Sequence, residues 1–197
     1  MRPSGQTWPA RGPRVLYDAA MKIVAISGSL RAGSSNAALL RAAAALAPEG
    51  MDIVLYQDIG SLPHFNPDLD GVGAVPPPEV AAFRALLGAA AGVLISSPEY
   101  AHGVPGSLKN ALDWIVSSGE LVDKPVVLIN ASPSGGEFAQ PALVEILRTM
   151  SARVLVEASL LAPFVRKKLD AEGNVADAEI ARALGASLAA LAAAIAG

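Results

Sequence analysis

Five short apolar runs punctuate the chain: "KIVAIS" at 22–27, "DIVLY" at 52–56, "GVLISS" at 92–97, "PVVLIN" at 125–130 and "RVLVEA" at 153–158. Four are nearly continuous and rich in Val and Ile, the pattern of strands covered on both faces of a sheet. Between them the polar and apolar positions take a helical spacing. "SSNAALLRAAAALA" opens on Ser and Asn as candidate caps and ends before Pro48. "PPPEVAAFRALLGAA" and "PGSLKNALDWIVSS" begin with prolines, which a first helical turn tolerates. "FAQPALVEILRTMSA" and "DAEIARALGASLAALAAAIA" complete the set. Strand alternating with helix predicts an α/β fold: a doubly wound, five-stranded parallel sheet with helices on both faces. In such sheets ligands bind beyond the carboxyl ends of the strands, near the point where strand order reverses. That rule nominates the loops after the first, third and fourth strands, residues 27–36, 97–105 and 131–138.

Residues 1–20, "MRPSGQTWPARGPRVLYDAA", break the pattern, with Pro, Gly and Arg crowded together and no apolar period. We read them as a disordered N-terminal extension or as the product of an upstream start codon, and 21–197 as one domain. No apolar run reaches the roughly 18 residues of a membrane span, and the Ala-rich C-terminal segment suits a packed helix better. The expected protein is soluble and not membrane-bound. Its net charge of −3 provides no electrostatic footprint for nucleic acid or an anionic membrane. There are no cysteines, which removes disulfides, thiolate metal sites and thiol catalysis and fits a reducing, cytoplasmic setting.

The first nominated loop reads "SGSLRAGSSN", Ser27 to Asn36. Gly28 and Gly33 have the spacing of a nucleotide-triphosphate loop, G-x-x-x-x-G-K-[ST], yet Ser34 stands where that loop needs its lysine. A dinucleotide fingerprint fails too, because Gly28 is not followed by glycines at the required offsets. What survives is a site for one terminal phosphate. Ser29, Ser34 and Ser35 bring hydroxyls, Asn36 an amide, Arg31 a permanent charge, and the helix start brings free N–H groups. The bland alternative is a Ser/Gly turn whose last residues cap a helix.

The second loop lies in "SSPEYAHGVPGSLKNALDW", residues 96–114. Pro98 restricts Ser97 to extended conformations, and Gly103 and Gly106 permit close backbone approach. With Tyr100 this makes a ledge whose main-chain groups could read the edge of a planar heterocycle. Lys109, Asp113 and Trp114 are better explained as a surface helix pair and a core aromatic.

"GSLRAGSSN" and "PEYAHGVPGSLKNALDW", about seventy residues apart, together resemble the NAD(P)H-dependent FMN reductase family. This flavodoxin-like group contains bacterial quinone and chromate reductases, and the similarity runs from Met21 to about residue 160. The resemblance implies a flavodoxin-like sheet, tightly bound FMN, NADPH or NADH as co-substrate and a small-molecule electron acceptor. It also implies a homodimer or homotetramer. By position, Ser29, Arg31, Ser34 and Asn36 match the family's phosphate loop, with Ser35 beside them. Pro98, Glu99 and Tyr100 match the segment along the isoalloxazine edge, and Ala101, His102 and Gly103 continue it. The third loop, "ASPSGGEF", corresponds to the small-residue turn on the flavin's other side, through Ser132, Ser134, Gly135 and Gly136. Two departures stand out. Ala101 and His102 follow Pro-Glu-Tyr where many relatives carry Asn, and Pro133 and Glu137 interrupt a turn expected to be dominated by Gly.

The flavin would carry the redox chemistry, so no protein residue is expected to be catalytic. Histidines 64 and 102 lack the carboxylate partners of a metal site, and no metal is expected; His102 could line the substrate pocket. The acidic "DLD" of 68–70 reads as a solvated loop. Ser132 sits in no G-x-S-x-G elbow and is not read as a hydrolase nucleophile. The competing functions are a flavodoxin-type electron carrier that does not oxidise NAD(P)H and a nonenzymatic flavin- or nucleotide-binding redox sensor.

Overall fold

The computed structural model describes residues 21–132, 135–163, 165–168, 170 and 175–197. The predicted N-terminal extension therefore lies outside the described residues. Strand β1 (Met21–Ser27) leads through helix α1 (Ser35–Ala45) to β2 (Met51–Tyr56), and α2 (Pro78–Gly88) leads to β3 (Gly92–Ser96). Helix α3 (Gly106–Asp113) precedes β4 (Pro125–Asn130), and α4 (Ala139–Thr149) precedes two short strands, β5 (Arg153–Val154) and β6 (Leu160–Leu161). Helix α5 (Ala178–Ala196) closes the chain. The sheet order is β2-β1-β3-β4-β5, with β6 also on β4, and every pairing is parallel.

Alternation within the central strands assigns each face its helices. Val24, Ile26, Val93, Ile95, Val126 and Leu128 pack with side chains of α2, α3 and α4. Ile23, Ala25, Leu94, Val127 and Ile129 pack with α1 and α5. All residues of β3 and β4 are buried, which explains why their sequences are continuously apolar instead of alternating. From β1 the chain crosses one face to reach β2, and from β2 it crosses the other to reach β3. Chain order therefore reverses between β1 and β3, the point near which the sheet rule places a ligand.

The fifth strand departs from expectation. Residues 153–158 do not form one run: only Arg153 and Val154 pair, a 3-10 turn follows at Val156–Ala158, and the chain returns to β4 at Leu160–Leu161. The Ser159 hydroxyl spans the gap, accepting from the Leu128 N–H at 3.2 Å and donating to the Leu155 carbonyl at 3.1 Å. An edge strand satisfies only one neighbour, so a side chain can replace a rung of its ladder without opening the sheet.

Helix α5 is, among the described residues, the one element long and apolar enough to cross a membrane by length and composition. Here one stripe of it, Ile180, Leu184, Leu188 and Leu191, is buried in the core shared with α1 and β4. Its start is capped by Asp177, whose carboxylate accepts from the Glu179 and Ile180 N–H groups at 3.0 Å.

Candidate functional site

The first loop begins with an enforced close approach. Gly28 donates its N–H to the Ser96 carbonyl at 2.8 Å. A Cβ there would lie 2.9 Å from Ser97 Oγ and 3.1 Å from Leu108 Cδ2. A side chain at this position would have to displace Ser97 and Leu108, so glycine keeps the start of the loop close against them. The turn then builds itself from local bonds. Ser27 Oγ exchanges 3.3 Å contacts with the Ser29 backbone, and the Ser34 N–H donates to the Arg31 carbonyl at 3.0 Å.

Two residues expected to face a phosphate also hold the scaffold. Ser34 is the N-cap of α1, its Oγ accepting from the Ala37 N–H at 3.3 Å. Asn36 is buried, and its Oδ1 accepts from Ser96 Oγ at 2.9 Å and from the Ala131 N–H at 3.3 Å. Because the backbone N–H of Ala131 can only donate, the amide orientation is fixed. Asn36 thus ties the start of α1 to the ends of β3 and β4.

The donors left over share one location. The N–H groups of Ala32, Gly33, Ser35 and Asn36 have no acceptor among the described residues, and neither does the Arg31 guanidinium, which is exposed. With the Ser35 hydroxyl they form an anion-seeking rim at the positive end of α1.

The second and third loops are built differently. Tyr100 and Gly103 exchange N–H···O bonds of 3.1 and 2.9 Å around a two-residue turn. The central residues Ala101 and His102 have φ of 47° and 58°. That turn normally takes Asn-Gly, and a left-handed residue other than glycine costs about 1–2 kcal/mol. Contacts to the third loop hold it. The His102 ring stacks on Phe138 with centroids 4.0 Å apart and planes 18° from parallel. Glu99 Oε2 accepts from the N–H groups of Phe138 and Ala139, both at 2.8 Å. Helix α4 has no side-chain cap of its own, so Glu99 supplies one from another loop. The N–H of Ala139, with that of Phe138, holds the Glu99 carboxyl below its ordinary range.

Asn130, at the end of β4, organises the third loop. Its Oδ1 accepts from the Ser132 N–H at 2.6 Å, and its Nδ2 donates to Gln140 Oε1 at 3.1 Å. Gly135 and Gly136 have φ of 79° and 67°, and a Cβ on Gly136 would lie 2.2 Å from Asn130 Nδ2. Ser132 is buried beside them. Ser134 and Pro133 lie outside the described residues.

The three loops thus meet at one end of the sheet, as nominated. Tyr100 is exposed there and is not a core aromatic, whereas Trp114 is fully buried with its Nε1–H donating to the Pro63 carbonyl at 2.8 Å. Lys109 and Asp113 form the expected i,i+4 pair at 2.5 Å. The reading of 68–70 as solvated fails at Asp70, which binds Arg84 at 2.5 Å and the Ser117 hydroxyl at 2.7 Å. No group of three potential metal ligands occurs among the described residues. Sequence reasoning missed Asn130 and Phe138. An Asn closing a strand before a Gly-rich turn was a readable signal for the first; nothing local marked the second.

The family model for NADPH-dependent FMN reductase matches residues 21–167. The chain belongs to the NADPH-dependent FMN reductase family. It is accordingly an oxidoreductase with a flavodoxin-like fold, in agreement with the paired loop motifs. It is 36% identical over 161 residues to an NAD(P)H-dependent FMN reductase of Pseudomonas aeruginosa, an alignment covering 80% of this chain and 85% of that one. An NADPH:quinone oxidoreductase of Arabidopsis thaliana is 39% identical over 164 residues, covering 80% and 83%. Among solved structures, a flavoenzyme NAD(P)H:(acceptor) oxidoreductase from Paracoccus denitrificans superposes with a TM-score of 0.79 at 28% identity, covering 89% of this chain and 97% of that one.

Proposed function

We propose that this family member oxidises NADPH or NADH and passes the electrons through FMN to a quinone, free flavin or similar small acceptor by a ping-pong scheme. The observation that carries the reading is the unsatisfied rim of the first loop. Four N–H donors and one unpaired arginine, with no carboxylate among residues 27–36, fit a single terminal phosphate. Arg31, Ser29 and Ser35 would contact that phosphate directly. Ser34 and Asn36 would hold the rim in shape, with the Asn36 side-chain nitrogen still unpartnered among the described residues. The chain segment 98–103 would border the flavin ring through its backbone, and Ser132, Gly135 and Gly136 would flank it from the third loop, with Ser134 completing that turn.

Bound FMN would supply the hydride- and electron-transfer chemistry. The protein's share is to fix the flavin and leave one ring face open. Glu99 would act by bracing the second loop against α4, since one of its oxygens is already committed to backbone donors. Exposed Val116, Val122, Val156 and Leu161 offer apolar surface for a homodimer or homotetramer, which analytical ultracentrifugation would read. The absence of cysteine is compatible with the cytoplasm.

The test is stopped-flow mixing of the FMN-loaded protein with NADPH or NADH under anaerobic conditions, followed by a quinone. Rapid bleaching, then recovery of the yellow colour with quinone, is expected. Flavin that stays oxidised would identify an electron carrier; bleaching without turnover on any acceptor would identify a redox sensor.

A further inference from the structure

A groove of about 750 Å³ opens along the edge of the sheet, between the interrupted fifth strand and α5. Its lining shares no residue with the three loops of the candidate flavin site. The interruption itself supplies one wall: Val154 of β5, the 3-10 turn Val156–Ala158 and Leu160 of β6. The other wall is a stripe of α5, formed by Ala183, Ala186, Ser187 and Ala190 at the i, i+3, i+4, i+7 spacing of one helix face. Alanine at three of these positions leaves open the space that larger side chains would fill.

Ser187 is the odd member of the stripe. The residue is 5% exposed, yet its hydroxyl has no hydrogen-bond partner among the described residues. A helical serine commonly returns its hydroxyl to a carbonyl one turn back, and this one does not. Among the described residues every fully enclosed side-chain nitrogen or oxygen is partnered, so Ser187 Oγ must be reachable, and the groove it lines is where it is reached. The Ser159 hydroxyl, also in the lining, is already committed to Leu128 and Leu155. The charged groups of the lining are Arg148, from the last turn of α4, and Glu157. Both are exposed, neither forms an ion pair among the described residues, and their charges cancel. The groove thus combines apolar walls, one uncommitted buried hydroxyl and no net charge. That combination suits a neutral molecule and gives an ion no reason to leave water.

We propose that this groove is a binding site for a compact, neutral, apolar molecule with a single carbonyl or hydroxyl group, which Ser187 hydrogen-bonds. The site stands apart from the flavin reading and does not depend on it.

The experiment is titration of the FMN-saturated protein with camphor, followed through backbone amide NMR signals, in wild type, Ser187→Ala and Ala186→Leu. Camphor carries one carbonyl on a non-planar cage, which makes it a poor stacking partner for a flavin ring. Saturable shifts confined to residues 154–160 and 183–190 are expected, and Ser187→Ala should weaken binding about fivefold. Ala186 is exposed, so a leucine there fills the groove without entering the core and should abolish the shifts. Camphor-10-sulfonate, the same cage with a charge, should bind more weakly than camphor. Signals elsewhere in the spectrum that match wild type would show that both variants fold. Camphorsulfonate binding as tightly as camphor would overturn the neutral assignment, and affinity indifferent to Ser187→Ala would overturn the role of the hydroxyl. Absence of saturable shifts in wild type would overturn the site. If Ala186→Leu then also lowered the sedimentation coefficient, the groove would be an interface between copies of the chain instead.

Discussion

The loop after β1 and the pair of loops after β3 and β4 share one end of the sheet but use their polar groups in opposite ways. The first leaves four backbone donors and an arginine without partners. The other two spend theirs on each other, through Glu99 on the start of α4, His102 on Phe138, and Asn130 on its own turn. The contrast teaches that a polar side chain at a strand end does not by that fact serve a ligand. Unsatisfied donors mark where charge is expected from outside; saturated ones mark where shape is being held. Under the proposed reading, hydrogen bonds would grip the flavin's phosphate and a preformed wall would border its ring.

The strongest blow to the saturated region should come from Gly136→Ala. The new Cβ would meet Asn130 Nδ2 at 2.2 Å on a backbone with φ of 67°. A loss of roughly 2–4 kcal/mol in unfolding free energy is expected by denaturant titration. An unchanged midpoint would show that the Asn130 turn is not fixed.

The next pair sets the two uses side by side within the first loop. Asn36→Ala strands the buried Ala131 N–H and should cost roughly 1–3 kcal/mol of stability. Arg31→Ala should change stability by less than about 0.5 kcal/mol while FMN affinity drops about tenfold or more. Flavin titration and urea unfolding of both variants would break the distinction if Arg31→Ala proved as destabilising as Asn36→Ala or left FMN affinity intact.

Glu99→Gln addresses the bridge between the second and third loops. The Glu99 carboxyl is depressed in the folded state by the Ala139 and Phe138 N–H groups, from an ordinary value of 4.5. Its contribution is therefore complete above that value and lost as the pH falls through the lower folded one. The advantage of wild type over Glu99→Gln should be present at neutral pH and vanish on strong acidification. A stability difference independent of pH would place the effect elsewhere.

The smallest change should be favourable. Ala101→Gly relieves a left-handed alanine at φ 47°, and a gain of at most about 1 kcal/mol is expected, because glycine's extra unfolded-state freedom offsets part of the relief. Thermal unfolding would detect it.

The sheet was legible because β1, β3 and β4 carry unbroken apolar runs that only burial on both faces explains. The broken fifth strand was not: Arg153 to Ala158 has strand-like Val and Leu spacing, and only the Ser159 hydroxyl standing in for a ladder bond reveals the interruption. At the site, residue type and loop position were readable, but pairing was not. Asn36 reaches a donor ninety-five positions away and Glu99 one forty positions away. Such partners are chosen by the folded sheet, and no local pattern encodes them. His102 shows the same limit, since its stack on Phe138 exists only once the third loop is in place.

The tie from Asn36 to Ala131 also sets a schedule for synthesis. Strand β1 is made early yet occupies the middle of the sheet, and its neighbour β3 is not translated until residue 96. The backbone donor that anchors Asn36 arrives thirty-five residues later. A parallel sheet of this kind rewards long-range pairing only after long loops have closed. The growing chain therefore carries its anion-seeking loop until Ala131 has been added, and only then does that loop acquire a rigid shape. Under the proposed reading, cofactor capture would await the synthesis of β4 and Ala131, and a truncated product ending before β4 should emerge colourless even where residues 27–36 are all present.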